Sequence, residues 1–295
     1  MSLLSACAPR LAAVGIESRT PAIEGDRYIT RDGLALGLQH WDAEHPRSII
    51  VALHGMSDYS NAFAMPAAYW AEHGITTYAY DQRGFGRSPN TGLWAGCDTM
   101  RRDPAGFIEI VRTRHPGLPV YTPGESMGGA VVMSAMASPT PPRVDGVILS
   151  APAVWGWRTL PLSHRVALWF AAHSTPWWKL SGEGLHLMPS DNIPMLRALA
   201  KDPLYQHRAR ADAVYGLVTL MDEGYDATAR IKGTRVFFMS GEKDQIIPRG
   251  PTEEAAAKLE GDVTVRRYPN GYHMLLRDLQ AEVVWNDLLG WANRH

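Results

Sequence analysis

Pro123-Gly124-Glu125-Ser126-Met127-Gly128-Gly129 decides how this chain is read. The heptapeptide follows a short apolar run, 118–121, and precedes 130–136, whose composition predicts a helix. Strand, tight Gly-x-Ser-x-Gly turn and helix together form the context of a nucleophile elbow. So sharp a turn needs small neighbours. Gly124 and Gly128 leave room for the crossing backbone, and the serine is held in a strained conformation that lifts its hydroxyl above the sheet. The N-terminus of the following helix, with free N–H groups and the positive end of the dipole, favours negative charge developing there. In a chain with 27 glycines the pentapeptide alone is weak evidence, so the remaining sequence must supply partners in a workable order.

On either side of the elbow, strands and helices alternate. Residues 48–53 and 144–149 are short apolar runs, as expected of strands buried on both faces, and 75–80, 236–239 and 263–268 read as further strands. Helices are predicted between them at 61–73, 100–115 and 252–259, with a last one over 278–291. An antiparallel hairpin is predicted upstream, around Arg31-Asp32-Gly33. The pattern predicts an α/β fold, a mainly parallel sheet with helices on both faces.

The alternation stops at 153–211, where no strand is predicted. This segment reads as a helical cap inserted between two parts of the core, 26–152 and 212–295. It holds Trp155, Trp157, Trp169, Trp177 and Trp178, five of the ten tryptophans. A tryptophan covers roughly 150–250 Å², so five within so short an insertion exceed what its own small core can hide. Trp155, Trp157, Trp177 and Trp178 are the candidate substrate-binding residues of the cap, with a membrane surface as the other partner for exposed aromatics.

A serine hydroxyl needs a base within hydrogen-bond reach and an orienting acid behind that base. On a parallel sheet these lie on loops at the carboxyl ends of strands, in the chain order Ser, acid, His. His273, in Tyr268-Pro269-Asn270-Gly271-Tyr272-His273, follows the last predicted strand and precedes the last predicted helix. Asp244 stands just past the 236–239 strand, in a loop that Ile246, Ile247 and Pro248 would fix; Glu242 is its nearest rival, closer to the strand and to Lys243. Two N–H donors are needed for the tetrahedral oxyanion. Met127, directly after the serine, is one, and Met56, in the His54-Gly55-Met56 loop after the 48–53 strand, is the expected second. His54 is expected to shape that loop. Asp81, Arg83 and Arg87 are expected to brace the turn after 75–80, with Ser88 as a turn residue.

Taken together, Gly-Glu-Ser-Met-Gly-Gly, His-Gly-Met, Asp-Gln-Arg-Gly-Phe-Gly-Arg-Ser, Gly-Glu-Lys-Asp-Gln-Ile-Ile-Pro and Gly-Tyr-His-Met-Leu-Leu resemble the α/β-hydrolase superfamily over residues 26–293. The nearest resemblance is to its monoacylglycerol lipase and lysophospholipase branch, also catalogued with serine aminopeptidases. The resemblance implies a capped α/β-hydrolase fold with Ser126, Asp244 and His273 as triad, Met56 and Met127 as oxyanion donors, and a lid admitting acyl chains. The implied activity is hydrolysis of single-chain lipid esters, monoacylglycerols or lysophospholipids, through an acyl-enzyme and without a cofactor. A general carboxylesterase, an aminopeptidase, a haloperoxidase and an acyltransferase share the fold, and a non-catalytic lipid-binding protein on the same scaffold is the alternative of another class. Many members carry His before the nucleophile, where this chain has Glu125. A carboxylate there would disfavour anionic substrates or raise the pKa of His273.

With 295 residues, 45% hydrophobic, 20% charged and a net charge of −1, the composition is that of a folded globular chain with no pull towards nucleic acid. No apolar run approaches the length of about 18 residues that spans a bilayer. Two cysteines imply no disulfide framework, and no Cys/His spacing suggests a metal. Leu4-Ser5-Ala6-Cys7 resembles a bacterial lipobox, the end of a lipoprotein signal. On that reading Cys7 carries lipid, 1–25 is an N-terminal tether, and the protein sits in the cell envelope facing the periplasm; otherwise the expected compartment is the cytoplasm. The sequence assigns no oligomeric state.

Overall fold

The computed structural model describes residues 8–182 and 187–294, so Cys7 lies outside the described residues. An antiparallel N-terminal unit of β1 (Ala22–Glu24), β2 (Arg27–Ile29) and β3 (Ala35–Trp41) leads into the parallel strands β4 (Ser48–Ala52), β5 (Ile75–Tyr80), β6 (Val120–Glu125) and β7 (Gly146–Ser150). Between these lie α1 (Ala64–Glu72), α2 (Cys97–Arg114) and α3 (Met127–Met136). The segment after β7 holds α4 (Leu162–Ser174), β8 (Lys179–Leu180), α5 (Ile193–Leu199) and β9 (Ala209–Arg210). The chain then returns through α6 (Ala211–Ala227), β10 (Arg235–Gly241), α7 (Arg249–Ala257), β11 (Val263–Tyr268) and α8 (Ala281–Ala292).

Among the described residues, nine strands form one sheet in the order β1-β2-β3-β5-β4-β6-β7-β10-β11. Pairing is antiparallel up to the β3–β5 contact and parallel from β5 to β11. The period-2 alternation of a strand buried on both faces is visible in β10. Val236 and Phe238 enter the apolar layer beneath α3 and α6, with Met127, Val131 and Leu220. Phe237 and Met239 enter the opposite layer, with Trp70, Leu288 and Trp291. Fixed between two layers in this way, the sheet is a rigid base whose carboxyl edge can hold loops in register.

Three expectations need correction. Residues 8–25 do not hang free as a tether. Ala22–Glu24 pairs with β2, the Ala12 N–H donates to Trp94 O at 2.8 Å, and Glu17 meets Arg102 at 3.1 Å. An open sheet edge offers unpaired backbone groups, and the neighbouring chain satisfies them. The elbow strand is longer than its apolar run: β6 continues through Pro123 and Gly124 to Glu125, although Pro ordinarily argues against a strand interior. Pro123 has no N–H to pair, and its carbonyl accepts from the Leu53 N–H at 2.9 Å. The insertion, expected without strands, closes at its base through a two-residue antiparallel ladder, Lys179 opposite Arg210 and Leu180 opposite Ala209.

Candidate active site

Ser126 sits between β6 and α3 with φ 53° and ψ −116°, a backbone conformation rare for any residue but glycine. The tight packing around it explains the glycines. A Cβ on Gly124 would come 2.4 Å from Gly128 O, and one on Gly128 would come 2.1 Å from Leu53 O. The β4 loop crosses directly beside the serine, since a Cβ on Gly55 would stand 3.3 Å from the Ser126 Cβ and 3.9 Å from its Oγ.

The other two members of the expected triad meet each other. His273 Nδ1 lies 2.9 Å from Asp244 Oδ2, with both side chains nearly buried. An ionised carboxylate only accepts, so Nδ1 carries the proton and Nε2 is left as the basic nitrogen. The other oxygen of Asp244 accepts from the N–H groups of Ile246 at 2.7 Å and Ile247 at 3.0 Å, which fixes the carboxylate plane. Glu242 is exposed. No hydrogen bond closes between His273 and Ser126 among the described residues; such contacts are commonly loose in unliganded sites and tighten around substrate.

Met127 begins α3, so its N–H has no acceptor one turn back within the helix. Met56 lies in the adjoining β4 loop, two residues beyond a fully buried His54. His54 Nε2 accepts from the Gln82 N–H at 2.8 Å, and Nδ1 lies 2.8 Å from Gly55 O. A donor on one side and an acceptor on the other fix a neutral imidazole, and burial pushes its pKa down. His54 therefore shapes the loop. Asp81 braces the next turn, accepting from the N–H groups of Ser60 and Arg87, each at 2.8 Å. Arg83 reaches farther than expected. It grips Asp32 in the hairpin turn at 2.7 and 2.8 Å and Asp103 in α2 at 2.6 and 2.9 Å.

A buried ionic cluster beside the nucleophile was not foreseen. Glu125 is 2% exposed and accepts at Oε2 from Arg277 Nη2 at 3.1 Å. The same nitrogen lies 2.7 Å from Asp58 Oδ2, in the β4 loop. Two carboxylates thus share one guanidinium nitrogen, and Glu125 Oε1 and Arg277 Nε have no hydrogen-bond partner among the described residues. Burial pushes the Glu125 carboxyl above the usual carboxylate range, opposed by the Arg277 charge. Burial, with Asp58 next, also pushes the Tyr205 hydroxyl up to about 12. The sequence held one clue: a carboxylate forced into the core at the elbow requires a cation, but nothing in the spacing identified Arg277.

The candidate cap tryptophans separate. Trp155 is half-buried and packs against the apolar layer beneath α3. Trp157 is committed to α6, donating from Nε1 to Thr219 Oγ1 at 3.1 Å and tilting against Tyr215. Trp177 and Trp178 are 53% and 60% exposed. Among the described residues no group of His, Cys, Asp and Glu could hold a metal ion.

A family model described as "Serine aminopeptidase, S33" matches residues 44–280. A monoacylglycerol lipase of Mycolicibacterium smegmatis is 25% identical, over 85% of this chain and 89% of its own length. Human monoglyceride lipase is 23% identical, over 90% of this chain and 89% of its own. The crystal structure of a soluble variant of monoglyceride lipase from Saccharomyces cerevisiae, in complex with a substrate analog, superposes with a TM-score of 0.80 at 19% identity, covering 96% of this chain and 99% of that one. That likeness establishes a shared α/β-hydrolase fold.

Proposed function

The chain belongs to the serine aminopeptidase S33 family, and from that premise we propose that it is a serine hydrolase acting on the esters of single-chain lipids, monoacylglycerols first. The observation that carries this reading is the Asp244–His273 hydrogen bond at 2.9 Å, held at the same sheet edge as the strained Ser126. In this mechanism His273 Nε2 takes the Ser126 proton as Oγ attacks the ester carbonyl, and Asp244 stabilises the imidazolium. The N–H groups of Met56 and Met127 stabilise the oxyanion. The tetrahedral adduct collapses, the proton passes from His273 to the leaving alkoxide, and the alcohol departs. Water, deprotonated by the same imidazole, then releases the fatty acid and restores Ser126.

Two observations favour a neutral, single-chain substrate. Relatives named for monoacylglycerol hydrolysis match along most of the chain. The Glu125–Arg277–Asp58 cluster holds two carboxylates against one guanidinium beside the serine, which disfavours an anionic head group. The aromatic surface of the insertion supports association with a lipid surface. Leu162, Val166, Trp169 and Phe170 are spaced for one face of α4 and are all exposed. Acylation of Cys7 would hold the protein at the same surface.

A fluorophosphonate probe is expected to label wild-type protein and leave folded Ser126→Ala unlabelled; an unlabelled wild type would overturn the assignment. A chain-length series of monoacylglycerols and p-nitrophenyl esters tests the substrate, with a preference for acetate or butyrate pointing instead to a general carboxylesterase. Sedimentation with anionic vesicles tests the surface, and Trp169→Ser with Phe170→Ser is expected to weaken binding.

A further inference from the structure

The loop that carries His273 is held by the insertion above it. Residues 188–192 run back over the carboxyl edge of the sheet before α5 and bond to both loops that position the base. The Met188 N–H donates to Gln245 Oε1 at 3.0 Å, next to Asp244. The Met274 N–H donates to Pro189 O at 2.9 Å, and the Leu279 N–H donates to Asp191 Oδ1 at 2.9 Å. At the centre of this strap Ser190, fully buried, donates to Asp278 Oδ1 at 2.7 Å. The other oxygen of Asp278 accepts from the Tyr272 N–H at 2.7 Å, immediately before His273. One carboxylate therefore ties the backbone at residue 272 to a hydroxyl in the insertion.

Holding a charge at this point is costly. Asp278 is 2% exposed, and burial pushes its pKa up to about 6, with Asp191 and Glu125 adding like charge and the two hydrogen bonds opposing them. An apolar residue would pack there without that cost. What it would not supply is a fixed acceptor for Tyr272 and a link to Ser190.

We propose that Asp278 and Ser190 are positioning residues for the catalytic base, which set the height and angle of the His273 loop and make that geometry depend on the strap from the insertion. The inference rests on the serine-hydrolase reading. Its signature is kinetic: misplacing the base lowers kcat, by on the order of tenfold to a hundredfold, and leaves KM close to its wild-type value because no substrate contact is removed.

The test compares wild type, Asp278→Ala, Asp278→Asn and Ser190→Ala on p-nitrophenyl butyrate, with active sites titrated by fluorophosphonate and folding followed by thermal melting. Asp278→Ala is expected to lose about tenfold or more in kcat per titrated site. Asp278→Asn, which can accept from Tyr272 and donate to Ser190, is expected to recover most of that loss. Ser190→Ala, which removes a single hydroxyl and keeps the fold even where Asp278→Ala does not, is expected to lose several-fold with KM unchanged. Wild-type kcat per titrated site in Ser190→Ala together with Asp278→Ala would overturn the proposal. So would a loss confined to KM, which would make the strap a wall of the substrate site. A wild type that the probe does not label would refute the hydrolase reading itself, a separate outcome.

Discussion

Two buried arginines each face two carboxylates, and they are built differently. Arg83 meets Asp32 and Asp103 through four hydrogen bonds of 2.6–2.9 Å. Among the described residues, no buried polar atom of these three side chains lacks a partner. Arg277 meets Asp58 and Glu125 through one nitrogen and leaves Glu125 Oε1 and its own Nε without a hydrogen-bond partner among the described residues. The first cluster lies between the hairpin turn, the β5 turn and α2; the second adjoins the elbow. A fully satisfied buried network specifies structure, whereas a partly satisfied one leaves polar capacity free at a cost that packing elsewhere must offset. The contrast predicts that Arg83 serves stability and that Arg277 bears on the site beside the elbow.

The largest expected effect is on the first cluster. Arg83→Met leaves Asp32 and Asp103 buried without their cation and should destabilise the fold by about 3–5 kcal/mol. Thermal and denaturant unfolding measure it, while kcat per titrated active site stays unchanged; a selective fall in kcat would break the distinction. Arg277→Met should show the reverse emphasis, with turnover per titrated site down by roughly tenfold to a hundredfold as Glu125 is left uncompensated beside the serine. Loss of stability with full turnover per site would place Arg277 with Arg83.

Glu125→Gln keeps the shape and removes one charge, so that Arg277 faces Asp58 alone. Stability is expected to hold or rise slightly. The ratio of kcat/KM for a lysophospholipid to that for a monoacylglycerol should rise by a few-fold to about tenfold, measured on a matched acyl pair. An unchanged ratio would detach the cluster from head-group selection.

The smallest effect is a slope against pH. Burial pushes Asp103 up to about 6 despite its bonds to Arg83, while the Arg83 hydrogen bonds hold Asp32 well below the usual carboxylate range. Between about pH 4 and 6 folded Asp103 binds a proton that the unfolded chain has released, so its contribution to stability is present at pH 4 and is lost as pH rises through 6. Asp32 acts in the other direction: its contribution is present above about pH 4 and is lost on further acidification. In Asp103→Asn the fall in stability between pH 4 and 6 should flatten, as read from denaturant midpoints at a series of pH values. An unchanged slope would show that Asp103 titrates normally.

Much of the core was legible because strands buried on both faces are dominated by apolar and β-branched residues, as in β4 and β5. The expected members of the site were legible because an elbow restricts its neighbours to glycine and the chain order restricts the candidate base. The N-terminal β1 and the β8–β9 ladder were not legible. Three-residue and two-residue strands carry no periodicity, and they exist because an unpaired edge lay beside them. The tryptophans of the insertion could be counted from the sequence but not sorted. Trp157 turned inward because Thr219 and Tyr215 of α6 offered it a partner, and Trp178 stayed outside.

By itself the sequence determined the sheet-and-helix alternation, the elbow at Ser126 and the order Ser126, Asp244, His273, since these follow from local periodicity, turn sterics and chain direction. Only the tertiary structure decided that Asp244 meets His273, that Glu125 is held by Arg277 and Asp58, and that Ser190 reaches Asp278. Each of these pairings joins residues far apart in sequence. A charge or hydroxyl carries no mark of its partner until the packed core has fixed which loops share one edge of the sheet.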